Sequence, residues 1–203
     1  MKSLLIVFLL LNGFVEKNDS DKIYNSMKEE IVTLGSGCFW CSEAVYESVK
    51  GVSHVVSGYS GGLTINPTYE EISTGKTGHA EVVQVQFDSE KISFEEILLI
   101  FFKTHDPTSL NRQGEDIGTQ YRSVIFYHSE KQKEIADSII NKLDEQQIFD
   151  KPVVTQVQKF NQFYKAEDYH QNFFEKNPFH GYCNAVIQPK MTKFKKDFSE
   201  SLK

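Results

Sequence analysis

Apolar and polar residues alternate through Val83, Gln84, Val85, Gln86 and Phe87, the period-two signature of a strand with one face buried. The period then changes. Phe94, Ile97, Leu98 and Phe101 recur on one helical face, and Ser93-Phe94-Glu95-Glu96 ahead of them is a capping box. Upstream, Ile31 to Leu34 is a short β-branched run closed by Gly35-Ser36-Gly37; a helix is predicted from Phe39 to about Val49, and Val52 to Tyr59 reads as a strand. Downstream, the pattern predicts a strand over Val124–Tyr127, a helix over Ser129–Gln147 with its own Ser129/Gln132 box, and a strand over Val153–Phe160. Helices over Glu167–Lys176 and Met191–Phe198 complete the reading. Strands and helices interleave irregularly between glycine turns, so the expected fold class is α+β, a mixed β-sheet flanked by helices.

The first thirty residues follow a different logic. Lys2 precedes an unbroken apolar run from Leu4 to Leu11, which gives way at Asn12-Gly13 to a polar, charged stretch, the layout of a secretory signal peptide. The run is shorter than the roughly 20 residues a spanning helix needs, so no stable membrane insertion is expected. Phe14-Val15 is bulky where a cleavage site wants small residues. The expectation is a signal peptide over residues 1–20, a polar spacer over 21–30 and one catalytic domain over 31–203 ending in a helix. Export is therefore expected; the alternative is an uncleaved tail on a cytoplasmic protein. The 203 residues fit a single domain, and 22 Lys and Arg against 28 Asp and Glu leave no positive field to gather nucleic acid. A monomer is expected.

Three cysteines are too few for a disulfide scaffold, and the odd number leaves at least one thiol free for chemistry. Cys38 follows the Gly35-Ser36-Gly37 turn at the predicted first turn of a helix, where unsatisfied N–H groups favour a thiolate and lower a thiol pKa. Cys38 is therefore a candidate nucleophile. Eight of the 12 glycines fall between Gly35 and Gly78, which places the active surface there. Cys38 and Cys41 form a Cys-x-x-Cys pair. Zinc would need two more ligands at suitable spacing, which Cys183 and six scattered His do not offer, so no metal is expected. A thioredoxin-type redox helix remains open, although Phe39-Trp40 between the thiols suits a pocket wall better than protein docking.

Gly37-Cys38-Phe39-Trp40, Gly58-Tyr59-Ser60-Gly61-Gly62, Asn66-Pro67-Thr68-Tyr69, Thr77-Gly78-His79-Ala80-Glu81, His105-Asp106-Pro107, Gln113-Gly114-Glu115-Asp116, Gly118-Thr119-Gln120-Tyr121-Arg122 and Ala166-Glu167-Asp168-Tyr169-His170-Gln171 together resemble the peptide methionine sulfoxide reductase A family. The match runs in order over roughly residues 31–183. It implies reduction of methionine (S)-sulfoxide, free or in oxidised proteins, with no cofactor beyond thioredoxin or another dithiol as reductant. By this resemblance Cys38 attacks the sulfoxide sulfur, Glu81 is the acid, Tyr69 and Tyr121 hold the sulfoxide oxygen, and Asp116 helps to place the substrate. Phe39 and Trp40 would receive the S-methyl group. Desolvation in such a pocket raises the Glu81 pKa towards neutrality. His79 is expected to orient or shape a loop, and Glu167-Asp168-Tyr169-His170 to cap a helix. Two thiols could take up the resulting sulfenic acid. Cys183 resembles the recycling cysteine of many family members, but the segment after it departs from a Gly-rich tail and could pack it in place; Cys41 departs from members that have Gly there, but sits one helical turn from Cys38 and could close a disulfide directly. Direct reduction by an external thiol is a third route.

The remaining rivals are a thiol-disulfide oxidoreductase built on Cys38 and Cys41, and a non-catalytic module that grips oxidised methionine.

Overall fold

The computed structural model describes residues 28–203, so the expected signal peptide and most of the spacer lie outside the described residues. The alternating run is strand β3 (Ala80–Asp88), paired antiparallel with β1 (Glu29–Ser36) on one side and β2 (Val52–Ser60) on the other. β1 begins two residues inside the expected spacer. β6 (Ser123–Tyr127) continues the sheet antiparallel beyond β1, and β7 (Gln156–Lys159) adds in parallel. β8 (Phe163–Lys165) closes the other edge against β2, giving the order β7-β6-β1-β3-β2-β8. The sheet is mixed, as expected. A separate two-stranded hairpin, β4 (Arg112–Gln113) and β5 (Asp116–Ile117), projects from it.

Period two assigns the faces of β3. Val83, Val85 and Phe87 enter the large core with Val32, Leu34, Ile97, Leu98 and Phe101, all fully buried. Ala80 and Val82 join Val124 and Phe126 on the opposite face. Glu81 shares parity with Val83 and Val85, so the strand turns a carboxyl into the apolar side of the sheet.

Helix α1 (Phe39–Glu47) lies on that side, held by the buried Glu43 carboxylate, which accepts from Ser57 Oγ at 3.1 Å and from the Phe173 N–H at 3.2 Å. Tyr46 donates from its hydroxyl to the Ile97 carbonyl at 3.0 Å and so joins α1 to α3 (Phe94–Thr104). The Ser93/Glu96 capping box forms as expected, and a second one, Thr68/Glu71, opens the short α2 (Tyr69–Ser73). In α4 (Glu130–Glu145), Ser129 accepts from the Gln132 N–H, but the Gln132 side chain turns to His128 and Ile31, so only half of that box exists.

Two expectations need correction. The strand expected over Val153–Phe160 pairs only over Gln156–Lys159. The helix expected over Glu167–Lys176 is broken into a 3-10 turn (Asp168–His170) and the short α5 (Phe173–Lys176). Asn172 between them takes a left-handed φ of 53°, which no helix accommodates.

The C-terminal helix arrives earlier than the apolar spacing suggests: a π-helical turn (Cys183–Ile187) runs into α6 (Gln188–Asp197), with Pro189 in its first turn. Met191 and Phe194 are buried against the core. The chain end is tied back to α1: Val49 bridges Leu202, Lys50 N–H donates to the Ser201 carbonyl at 2.8 Å, and Lys203 N–H to that of Ser48 at 2.9 Å.

Candidate active site

Cys38 is the N-cap of α1, and its carbonyl accepts from the Cys41 N–H at 3.1 Å. Gly37 delivers it there with φ +90°, and a Cβ at Gly37 would stand 2.5 Å from the Gln113 side chain, so this turn needs glycine on both counts. Across from the helix start, Glu81 Oε2 accepts the Phe39 N–H at 3.1 Å. The carboxyl therefore caps the same helix end that bears the thiol.

A cavity of about 180 Å³ opens over this point. Cys38, Glu81 and Asp116 line it with the aromatic rings of Phe39, Trp40, Tyr69, Tyr121 and Tyr182. The structure thus brings all seven expected nucleophile, acid, phenol, placement and pocket-wall residues to one hollow. A larger cavity of about 310 Å³ lies beside α6, lined by Lys103, His105 and Lys190 among others, and contains no thiol.

Each phenol is placed by its backbone. Tyr69 opens α2, and its N–H donates to Glu167 Oε1 at 2.8 Å. Tyr121 ends a 3-10 turn (Thr119–Tyr121) that Arg122 clamps by donating to the Thr119 carbonyl at 2.9 Å and that of Gly78 at 3.1 Å. Asp116 sits on the β4–β5 hairpin and accepts from the Tyr182 hydroxyl at 2.7 Å. Tyr182 is the lining residue that sequence reasoning missed; its motif Gly181-Tyr182-Cys183 drew notice only for the cysteine. It also packs edge-on to Trp40, with centroids 5.8 Å apart.

The electrostatics follow from burial. Glu81 is 2 % exposed, and desolvation raises its pKa to about 8 against the lowering effect of the Phe39 N–H; Asp116 and Cys41 raise it further. It is a protonated acid at neutral pH. Burial first, then the charge of Glu81, pushes Tyr69 up to about 12, and the same causes raise Tyr121, so both remain O–H donors.

The thiols correct an expectation. Cys38 is not lowered by its helix end: burial first, then its hydrogen bond with Cys41, holds it well above the ordinary thiol value. Cys41 is the one lowered, to about 7, first by the hydrogen bond from Cys38. One dipole at one helix terminus does not outweigh the loss of solvent around Cys38. The pair gives up its first proton near neutrality and retains the second.

Cys183 is fully buried in the π-helical turn and does not line the cavity. All three cysteines are free thiols. His79 accepts the Gly62 N–H at Nδ1 and pairs through Nε2 with the Thr64 carbonyl, the loop-shaping role expected of it. The Glu167–His170 cluster forms the helix-capping network expected of it: Glu167 accepts the Tyr69 N–H that opens α2 and the Tyr59 hydroxyl, and His170 accepts from Trp40. Among the described residues no group of His, Cys, Asp and Glu is arranged to hold a metal, and no helix is long and apolar enough to cross a membrane.

A buried dithiol at a helix start, facing a protonated carboxyl and phenolic donors across an aromatic pocket, defines a thiol-dependent oxidoreductase. The family model for peptide methionine sulfoxide reductase matches residues 30–202. The peptide methionine sulfoxide reductase MsrA of Saccharolobus solfataricus is 56% identical over 174 residues, covering 86% of this chain and 97% of that relative. That of Trichodesmium erythraeum is 55% identical over 173 residues, 85% of this chain and 98% of the relative. Among solved structures, methionine sulfoxide reductase A of Corynebacterium diphtheriae superimposes with a TM-score of 0.68 at 34% identity, over 75% of this chain and 77% of that one. Mxr1 from Saccharomyces cerevisiae in reduced form gives a TM-score of 0.69 at 34% identity, over 77% and 90%. The chain belongs to the peptide methionine sulfoxide reductase family. It is an oxidoreductase that reduces methionine sulfoxide.

Proposed function

We propose that the chain reduces methionine (S)-sulfoxide, free and in oxidised proteins, by attack of Cys38 on the sulfoxide sulfur, with Glu81 as proton donor. The observation that carries this reading is the protonated, 2 %-exposed Glu81 carboxyl capping the helix start that bears Cys38. The Cys38 proton passes along its hydrogen bond to Cys41. As the Cys38 sulfur bonds to the sulfoxide sulfur, Glu81 gives the oxygen a proton; the hydroxyl then passes to the Cys38 sulfur, the sulfur–sulfur bond breaks, methionine leaves as the thioether, and Cys38 remains as sulfenic acid. Tyr69 and Tyr121 donate to the oxygen while negative charge collects on it. Phe39 and Trp40 receive the S-methyl group, and Asp116, fixed by Tyr182, helps to place the substrate.

Cys41 resolves the intermediate. Its thiol attacks the Cys38 sulfenic acid, forming the Cys38–Cys41 disulfide and releasing water; a thioredoxin-like dithiol then reduces that disulfide and is itself oxidised. The existing hydrogen bond between the two thiols supports Cys41, and the packing of Cys183 into a core turn weighs against Cys183. Mass spectrometry after one equivalent of methionine sulfoxide without reductant tests this. One methionine released and a Cys38–Cys41 bond are expected. Cys41→Ala should still release that methionine yet turn over at least about tenfold more slowly with thioredoxin, and Cys183→Ala should stay within about twofold. A Cys38–Cys183 bond would reassign the resolving thiol.

The apolar run from Leu4 to Leu11 supports export as the destination of the chain.

A further inference from the structure

Trp40 is the only tryptophan in the chain, and its ring is stacked on Phe173 at 3.6 Å and 5°. Stacking fixes a plane but leaves the ring free to slide and turn within it. Beside the edge-on rings of Tyr182 and His180, a hydrogen bond ties the indole within that plane: its Nε1–H donates to His170 Nδ1 at 3.0 Å. An imidazole accepts only through an unprotonated nitrogen, so the ring proton of His170 sits on Nε2. That Nε2 is buried and makes no hydrogen bond; Glu167 Oε2, at 3.9 Å, is too far to accept and is already held by the Tyr59 hydroxyl at 2.8 Å. A side chain selected for packing among rings would be another ring without an orphaned N–H. His170 is 1 % exposed and contacts Phe39, Tyr69 and Tyr169 at centroid distances of 5.0, 4.4 and 4.1 Å, an environment a phenylalanine would fill. The one property phenylalanine lacks is the acceptor at Nδ1. Burial also lowers the His170 pKa, which keeps that acceptor unprotonated at neutral pH.

We propose that His170 is a positioning residue for sulfoxide reduction: by accepting the indole N–H at Nδ1 it fixes the orientation of Trp40, and with it the wall against which the substrate's S-methyl group packs. The inference rests on the reading of Trp40 as part of that wall. It separates two substitutions. His170→Phe retains the ring and removes the acceptor; His170→Asn places an amide oxygen near the position of Nδ1.

Steady-state reduction of free methionine sulfoxide with dithiothreitol should show KM raised about tenfold in His170→Phe with kcat within about threefold, and KM within about threefold of wild type in His170→Asn. Trp40 emission, read without substrate, should move to shorter wavelength in His170→Phe and stay in place in His170→Asn. Unchanged KM and emission in His170→Phe, or equal impairment of both variants, would overturn the proposal. Nitrogen-15 NMR of the wild-type imidazole needs no substitution: a neutral ring protonated at Nε2 is expected, and a proton on Nδ1 would refute the hydrogen bond. Should the wild type reduce no sulfoxide, the functional reading fails, while emission and NMR still report on the Trp40–His170 contact.

Discussion

Glu81 is the residue on which chemistry and stability oppose each other. A carboxyl on the apolar face of β3 prefers to be neutral, which makes it an acid at neutral pH and also makes folding depend on pH. The unfolded chain releases this proton near about 4.3, whereas the folded protein holds it to about 8. Between those values the native state binds the extra proton. Its stabilising effect is fully present below the unfolded value and is lost as pH rises through the folded one, at about 1.4 kcal/mol per pH unit. Glu81→Gln should therefore flatten the fall of stability between pH 5 and 8, read as Tm against pH, and at the same time lower sulfoxide reduction by about a hundredfold or more. An unchanged Tm profile would mean that the carboxyl ionises near its ordinary value. In the wild type, kcat/KM should rise as the thiol pair loses its first proton near 7 and fall as Glu81 ionises near 8. The gain or loss of the alkaline limb in Glu81→Gln checks the assignment. Much of this was legible in the residues, because Glu81 has the parity of Val83 and Val85 and burial follows from that parity. The thiol shift was not. Helix position can be read from Gly35-Ser36-Gly37-Cys38, but Cys38 is buried under a cavity whose lining extends to Tyr182, more than a hundred residues further on, and no local pattern reports that burial.

At the scale of elements, long periodic segments were readable and short ones were not. β3 and α3 carry enough repeats for their period to show. β4, β5 and β8 have two or three residues each, and two residues have no period. The segment 167–176 misleads for another reason: its apolar spacing suits a helix, yet Asn172 must turn left-handed so that the Phe173 N–H can reach Glu43. Tertiary demand overrides spacing there. The C-terminal segment shows what an element does for the site. The π-helical turn that follows Tyr182 runs from Cys183 straight into α6, and Met191 and Phe194 anchor that helix in the core. Phe194→Ala should cost about 3–5 kcal/mol of unfolding free energy by denaturant titration and should also raise KM, because the turn bearing Tyr182 loses its backing. Ser93→Ala removes a helix cap distant from the cavity. It should cost about 1 kcal/mol and leave KM unchanged. Equal kinetic effects of the two would show that α6 supports stability alone.

For the whole molecule, the question is which part of the chain folds. Among the described residues every strand of the sheet lies at or beyond Glu29, the family match begins at residue 30, and the residues that line the cavity lie between Cys38 and Tyr182. On the export proposed above, the apolar run from Leu4 to Leu11 serves as an address. Two consequences follow, and they separate cleanly. A protein beginning at Lys28 should unfold at the same temperature as the full chain, within about 2 °C, and reduce methionine sulfoxide with the same kcat/KM. In cells, the full chain should be recovered outside the cytoplasm and shortened at its N-terminus, whereas the truncated protein should stay inside. A shortened protein with a lower Tm would mean that the run packs onto the domain. A full chain found intact in the cytoplasm would instead make the run an uncleaved tail and place the enzyme among cytosolic dithiols. Export has a chemical corollary: the Cys38–Cys41 disulfide would form in an oxidising compartment, so each turnover there depends on a dithiol maintained reduced against its surroundings.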